Sequence, residues 1–572
     1  MSENEKDYKE QIADLLENYK DGRDVFIKNN WDEELPLKPG PRVDRPTTNW
    51  LALMEKVTGI IAKSKYGLET YPTEIDVVDS QEMLELYSTV ALPEGYDYWA
   101  RGKDQAQNEQ RYRAGMMGLA FEIVINSNPS IAYCMATNSN AMMALVIAHA
   151  AQGHNAFFKN NELFKYHTNA DDILGDSRRF KLFVAECEDK YGVDRVERVL
   201  DACHALQSYA VDHQIKPLTE RTREEREKRK AAIERAWELS RDEVLEVTRL
   251  KSPGEDARPA VGSKRDDHPI DEQNILRYIA NEFPHLESWE RKIINMFCDQ
   301  AQYFHPQILT KVMNEGLATY THYKIMNDLH DLNLISDGMM LEFLASHTSV
   351  VFQPDFNDPR YSGINPYYLG FKMFMDIERM CTEPTEEDRK WFGEKKWFPA
   401  VGEKADYMAV IRDAAFNYKD ETFIYQFLSP KLMRDMNLFV VRDDDQEPYM
   451  EVTAIPDDGY YKKLRADLAG QYDPARRVPD IRVHAYDEEG DRTLMLRHNM
   501  INRKPLDKAT AEEVLKHIHG LLKHPVVLAS FDEDGKIASN TLEGGALTCP
   551  SPLTVARPSP IYNFLHPPSP SP

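Results

Sequence analysis

With 572 residues, 42% of them hydrophobic and 10% aromatic, the chain exceeds the length at which one hydrophobic core stops growing, and two or three domains are expected. A formal net charge of −25 and a pI near 5.2 exclude a generic binder of nucleic acid or of an anionic membrane, because counterion release needs a basic face. The six cysteines form no C-x-x-C pair, the N-terminus M-S-E-N-E-K-D-Y-K-E has no apolar core, and no stretch of about 18 apolar residues occurs, so a cytoplasmic protein without disulfides, secretory signal or membrane insertion is expected.

Residues 1–45 read as an N-terminal extension. Residues 50–66, W-L-A-L-M-E-K-V-T-G-I-I-A-K-S-K-Y, have helical spacing, and Pro72 and Pro93 punctuate the next stretch of chain. A helix is predicted from Gln105 to about Asn126, its second half G-L-A-F-E-I-V-I-N apolar apart from Glu122, and N-S-N-P at 126–129 ends it. A further apolar helix starts near Asn140 and carries His149, and two more lie within 178–213. The mixed charges of 219–250 then read as a solvated helical connector and 251–268 as a linker, so a helical domain over 46–430 is interrupted at 216–268. Helical periodicity returns at 272–347, and the loop-like run Q-P-D-F-N-D-P-R-Y-S-G-I-N-P-Y-Y leads into a helix at 369–381. From about Leu432 alternating stretches such as M-N-L-F-V-V-R and I-R-V-H-A-Y, with one helix A-T-A-E-E-V-L-K-H-I-H-G-L-L, predict an α+β domain over 432–542. The Pro/Ser-rich tail, 543–572, is expected to be disordered. The fold class expected is mainly α, a helical body for which a zincin-like catalytic form is one option, with a small C-terminal α+β domain.

The chemistry concentrates in two runs. A-H-A-A-Q-G-H-N-A-F-F, residues 148–158, sets His149 and His154 on an apolar segment, and V-M-N-E-G-L-A-T-Y-T-H-Y, residues 312–323, supplies Glu315 and His322. Two imidazoles and a carboxylate from separate elements suit zinc or another divalent transition metal; no P-loop or other nucleotide motif accompanies them. On an ideal α-helix a spacing of five leaves the two histidines roughly 140° apart, so the metal reading requires Gly153 to permit a π-bulge or a helix end. Otherwise His149 packs in a helical core and His154 bonds nearby backbone. Glu315 and His322 share a face but stand about 10 Å apart along the axis, which makes Glu315 the ligand and leaves His322 to touch substrate or orient a neighbour.

Where H-E-x-x-H carries its general base, this chain has Ala150. Glu122, set among Phe121, Ile123, Val124 and Ile125, is the substitute, since burial raises a carboxyl pKa toward the range useful for proton transfer; pairing with Arg111 or Arg113 is the alternative. Glu186 with His204, and Glu342 with His347, are candidates to support the site or form a second one, against plain core packing. A di-iron site is disfavoured because the single Glu-x-x-His, Glu282–His285, has Pro284 inside it.

The runs M-G-L-A-F-E-I-V-I-N-S-N-P, A-H-A-A-Q-G-H-N-A-F-F-K-N-N, V-M-N-E-G-L-A-T-Y-T-H-Y, M-L-E-F-L-A-S-H-T-S-V-V, Y-S-G-I-N-P-Y-Y-L-G-F and L-S-P-K-L-M-R-D-M-N-L-F, in this order, resemble the signature blocks of the stage V sporulation protein R (SpoVR) family over about residues 60–540. The resemblance implies a link to spore cortex formation or bacterial stress physiology and a serine-kinase and von Willebrand-type partner system. Leu317 and Tyr320 depart from it, standing where the family usually carries tryptophan and phenylalanine. Two functions are then open. One is a metal-dependent, peptidase- or amidase-like hydrolase, N-E-G-x-A being similar to the third-ligand segment of gluzincin-type enzymes, with His149, His154 and Glu315 on the metal and Glu122 and His322 catalytic. The other is a non-catalytic scaffold or regulatory protein whose acidic C-terminal domain docks a partner.

Overall fold

Helices make up most of the chain in the computed structural model, which describes residues 3–17, 49–89, 92, 94–113, 122–213, 272–355, 358–438, 441–442, 451–452, 458–487, 492–500, 505–531 and 537–544. The connector predicted at 216–268 and the tail beyond Gly544 lie outside the described residues. Within the predicted N-terminal extension, α1 (Glu3–Glu17) buries Tyr8, Ile12 and Leu16, spaced four apart, in the same core as α2 (Asn49–Ile60).

A three-stranded sheet comes next. β1 (Thr73–Val78) leads into α3 (Ser80–Ser88) and α4 (Trp99–Arg113), and then β2 (Glu122–Ile125) and β3 (Ser130–Met135) pair antiparallel, with Glu122 opposite Cys134. The order is β1-β3-β2, with β1 parallel to β3. The helix predicted from Gln105 to about Asn126 is present as far as Arg113, within α4, and is corrected from Glu122 onward, where the chain is a strand. The branched run Ile123-Val124-Ile125 is stiff at χ1 and fits a pleated surface, β3 supplies its ladder partners, and N-S-N-P turns one strand into the next.

The rod after β3 is continuous: α5 (Asn140–Ile147), capped by the Ser139 hydroxyl, runs into a π-helix (Ala148–His154) and then α6 (Asn155–Asn160). Further on come α7 (Ile173–Tyr191), α8 (Val193–Ala205), α9 (Ile275–Glu282), α10 (Ser288–Leu309), α11 (Lys311–Asp331), α12 (Asp337–Val350), α13 (Pro366–Thr382), α14 (Tyr407–Asn417), α15 (Asp420–Phe427) and α16 (Asp458–Gln471). The largest core joins residues from both sides of the connector, Met54 and Phe157 packing in one cluster with Leu317, Phe374 and Ile411.

The C-terminal sheet is formed by β4 (Asp480–Tyr486), β5 (Leu494–Asn499), β6 (Val526–Phe531) and β7 (Ile537–Gly544) in sequential order, β5 and β6 being parallel and joined through α17 (Lys508–Leu522). Its inner face, with Val483, Leu496 and Leu528, shares a second core with Val184, Leu200, Ile279 and Ile294 of the helical body. Inside the α+β unit drawn from sequence at 432–542, residues 458–471 are helical and bury Tyr460, Tyr461, Leu464 and Leu468 in the largest core, and the four-stranded sheet begins at Asp480. No helix among the described residues is long and apolar enough to cross a membrane.

Candidate metal centre

His149 and His154 meet because the segment between them is π-helical. Hydrogen bonds from i to i+5 bring residues five apart onto one face, and the two imidazoles stand edge to face with ring centroids 4.5 Å apart. Gly153 makes this possible in a further way. A Cβ there would lie 2.5 Å from Ala318 Cα, so the π-helix and α11 pack backbone to backbone. The same device recurs on the opposite side of α11, where a Cβ on Gly316 would lie 2.5 Å from Gly370 Cα of α13.

That packing carries Glu315 to the histidines. Its Oε2 lies 3.4 Å from His154 Nε2 and 3.9 Å from His149 Nε2, and the three donor atoms all fall within 4.8 Å of one another. Two ligands on one tetrahedral ion with bonds near 2.1 Å stand about 3.4 Å apart, so the cluster is close to metal-binding dimensions. Its atoms are also in need of a partner. His149 Nε2 and Glu315 Oε2 are buried with no hydrogen-bond partner, a costly state for polar atoms facing each other.

Their surroundings orient them. Asn314 Oδ1 accepts from His154 Nδ1 at 2.9 Å, which leaves the Nε2 lone pair facing the cluster. His149 Nδ1 is 2.9 Å from His322 Nδ1, and His322 Nε2 is 2.9 Å from His347 Nδ1. The ring of His149 also interacts with the Ala318 carbonyl. His149 thus stands between Glu315 at one ring nitrogen and His322 at the other. Burial, followed by the neighbouring imidazoles, pushes both His149 and His322 well below the ordinary histidine range and keeps them neutral. His347 is lowered to about 4, first by burial and then by Lys372.

Glu122, at the start of β2, reaches the same point, with Oε1 3.7 Å from His149 Nε2. Burial, then the Glu315 carboxylate, pushes its pKa up to about 8. Tyr367, in the first turn of α13, hydrogen-bonds Glu315, and its phenol is pushed far up by burial and by Glu315 and Glu122. The N-terminus of α11 is held from α15, where the buried Asp420 carboxylate accepts from the Val312 and Met313 amides at 2.9 Å each and is itself raised to about 7 by burial.

Of the other sequence candidates, Glu186 is exposed on α7 and His204 is held in the second region of the body, bonded to Tyr96 Oη at 2.9 Å and stacked on Tyr98. Glu342 is exposed and binds the Ser139 hydroxyl. The structure brings together His149, His154, Glu315, Glu122 and His322, with His347 behind them. Asn314, Tyr367 and Asp420 are not among the residues the sequence points to. Asn314 lies inside the N-E-G run and Tyr367 inside the aromatic run that leads into and opens α13, whereas Asp420 carries no local signal. Asn314, Glu315 and His204 all line a cleft of about 990 Å³ whose walls include α4 and the α10–α11 junction.

Residues 47–477 match the family described as SpoVR like protein, and residues 479–533 match the SpoVR-like C-terminal domain. The chain is 45% identical over 473 residues to a protein of Escherichia coli (strain K12) named "Uncharacterized protein YcgB", covering 82% of this chain and 90% of that one. No solved structure matches the chain.

Proposed function

We propose, for a chain that belongs to the SpoVR family, that it is a metal-dependent amide hydrolase with His149, His154 and Glu315 as the metal ligands. One observation carries the reading: a buried imidazole nitrogen and a buried carboxylate oxygen, neither with a hydrogen-bond partner, converge with a second imidazole that is pre-oriented by Asn314. Three protein ligands leave a coordination position open, as catalytic sites do and structural ones do not. A divalent ion held there supplies Lewis acidity, polarising a carbonyl and acidifying water.

The residues supply the rest. Glu122, beside Glu315 at the Nε2 edge of His149 and with its carboxyl raised to about 8, takes the proton of the attacking water and returns it to the leaving amine nitrogen as the C–N bond breaks. Tyr367 holds Glu315 by its phenol, and the His322–His347 pair fixes the His149 tautomer.

Elemental analysis of protein purified without added metal tests the proposal. About one transition-metal ion per chain is expected, lost in His149→Ala, His154→Ala and Glu315→Ala. Glu122→Gln should keep the metal and lose turnover on a panel of peptide and N-acyl amide substrates by about 10²-fold or more. A fully folded, metal-free protein would sink the hydrolase reading.

A further inference from the structure

The cleft beside the metal centre has an electrostatic character at odds with the chain around it. The protein carries a net charge of −25, yet Arg101, Arg111, Lys311 and Arg477 all line this one cleft. None of the four forms an ion pair among the described residues; Arg101 donates to the Tyr96 carbonyl and Arg477 to the Gln471 carbonyl. Three acids line it with them. Glu315 belongs to the metal centre, Asp420 is buried against the α11 amides and is also felt by Arg477, and Asp104 alone remains on the α4 wall, so the cations left over are Arg101, Arg111 and Lys311.

The two walls are regular. Arg101, Asp104 and Arg111 follow one stripe of α4, and on the facing wall Lys311 stands four residues before Glu315 on α11, one turn along the same face. A cation is thus set about one helical turn from Glu315, and Arg101 and Arg111 line the same cleft from α4. Gln107 and Gln307, also on the walls, each donate and accept, as recognition of a peptide backbone requires. At about 990 Å³ the cleft is at the large end of ligand sites, which run to about 1,000 Å³.

We infer that the cleft binds an extended acidic ligand, a carboxylate-bearing peptide, whose negative group is held by Lys311 and Arg111 beside the metal centre. The inference rests on the hydrolase reading only for which bond is cut, not for what is bound.

The test measures binding rather than turnover. Full-length protein is titrated with a fluorescently labelled glutamate-rich hexapeptide, with its glutamine and lysine counterparts, and with inorganic phosphate as competitor. The glutamate peptide should bind at least about tenfold more tightly than the glutamine one, and Arg111→Glu or Lys311→Glu should each weaken it by about tenfold with unchanged thermal stability. Arg111→Gln and Lys311→Gln should give smaller losses. Equal binding of the glutamine or lysine peptide, indifference to charge reversal, or phosphate displacement without preference among the peptides would each overturn the inference. Selective binding by a protein without metal would uphold it while the hydrolase reading fell. A metal-loaded protein blind to peptide charge would do the reverse.

Discussion

Asn314 touches no metal-facing atom, yet it decides which nitrogen of His154 is free. Removing it leaves the imidazole able to rotate and to place its proton on Nε2, so Asn314→Ala should weaken metal affinity by about 10–100-fold with an unchanged thermal midpoint. Competition against a chelator of known affinity measures this, and an unaltered affinity would remove Asn314 from the site. At this scale the sequence is legible in proportion to chemical rarity. Histidines and a glutamate next to glycine stand out on apolar segments, and Glu122 stands out as the one charge in G-L-A-F-E-I-V-I-N. Asn314, Tyr367 and Asp420 are ordinary residue types whose roles come from contacts across 160, 52 and 107 or more positions of chain, and no local pattern encodes those.

The elements around the site are held at glycine contacts, and these set the second scale of prediction. Gly153→Ala would drive a methyl group into the Ala318 backbone, and Gly316→Ala would do so at Gly370. Each should cost about 1–3 kcal/mol through overpacking, read as a shift in the urea midpoint. Gly153→Ala should also lose metal, because His154 is the next residue. A substitution without cost at either position would contradict the backbone-to-backbone packing. The long helices are readable from apolar spacing and caps, as at Ser139 before α5. β1 and β3 are not, because T-E-I-D-V-V and S-I-A-Y-C-M are short and pair with each other across 57 residues of chain. α16 does carry a signal, Tyr460, Tyr461, Leu464 and Leu468 at helical spacing, but the surrounding acidic turns and alternating runs outweigh it.

For the whole molecule, buried titratable groups set the response to acid. Folding holds His149 and His322 well below the ordinary value of 6.5, His204 and His347 at about 4 and His305 at about 3, each chiefly by burial. It holds Glu122 at about 8 and Asp420 at about 7, above their ordinary 4.5 and 3.8. The two sets act with opposite sign. Lowered histidines contribute stability that is complete above pH 6.5 and is lost as pH falls through 6.5 towards 4, where the unfolded chain takes up protons the folded one resists. The raised carboxyls favour the folded state as pH falls from 8. His167, His213 and His498 are lowered as well and Glu55 and Glu188 raised; the eight histidines outweigh the four carboxyls below pH 6.5, so the metal-free protein should be most stable near pH 7 and lose stability steeply between pH 6.5 and 4. Thermal unfolding at pH 7 and pH 5 checks this, and an equal or higher midpoint at pH 5 would contradict it. The coarse plan, a helical body with a small α+β unit at the C-terminal end, is visible in composition and period. The sharing of the second core between that unit and the helices is not, since apolar faces announce that they are buried but not against what.

The π-helix at Ala148–His154 has a consequence for comparing sequences. A π-turn inside an α-helix is equivalent to a single inserted residue, so a chain lacking one of the four residues between His149 and His154 would present the same two imidazoles on an ordinary α-helix at a spacing of four. A gap within 150–153 in an alignment would then mark the same pair of ligands in a different helical register, and a search restricted to histidines four apart would pass over every chain that carries the insertion.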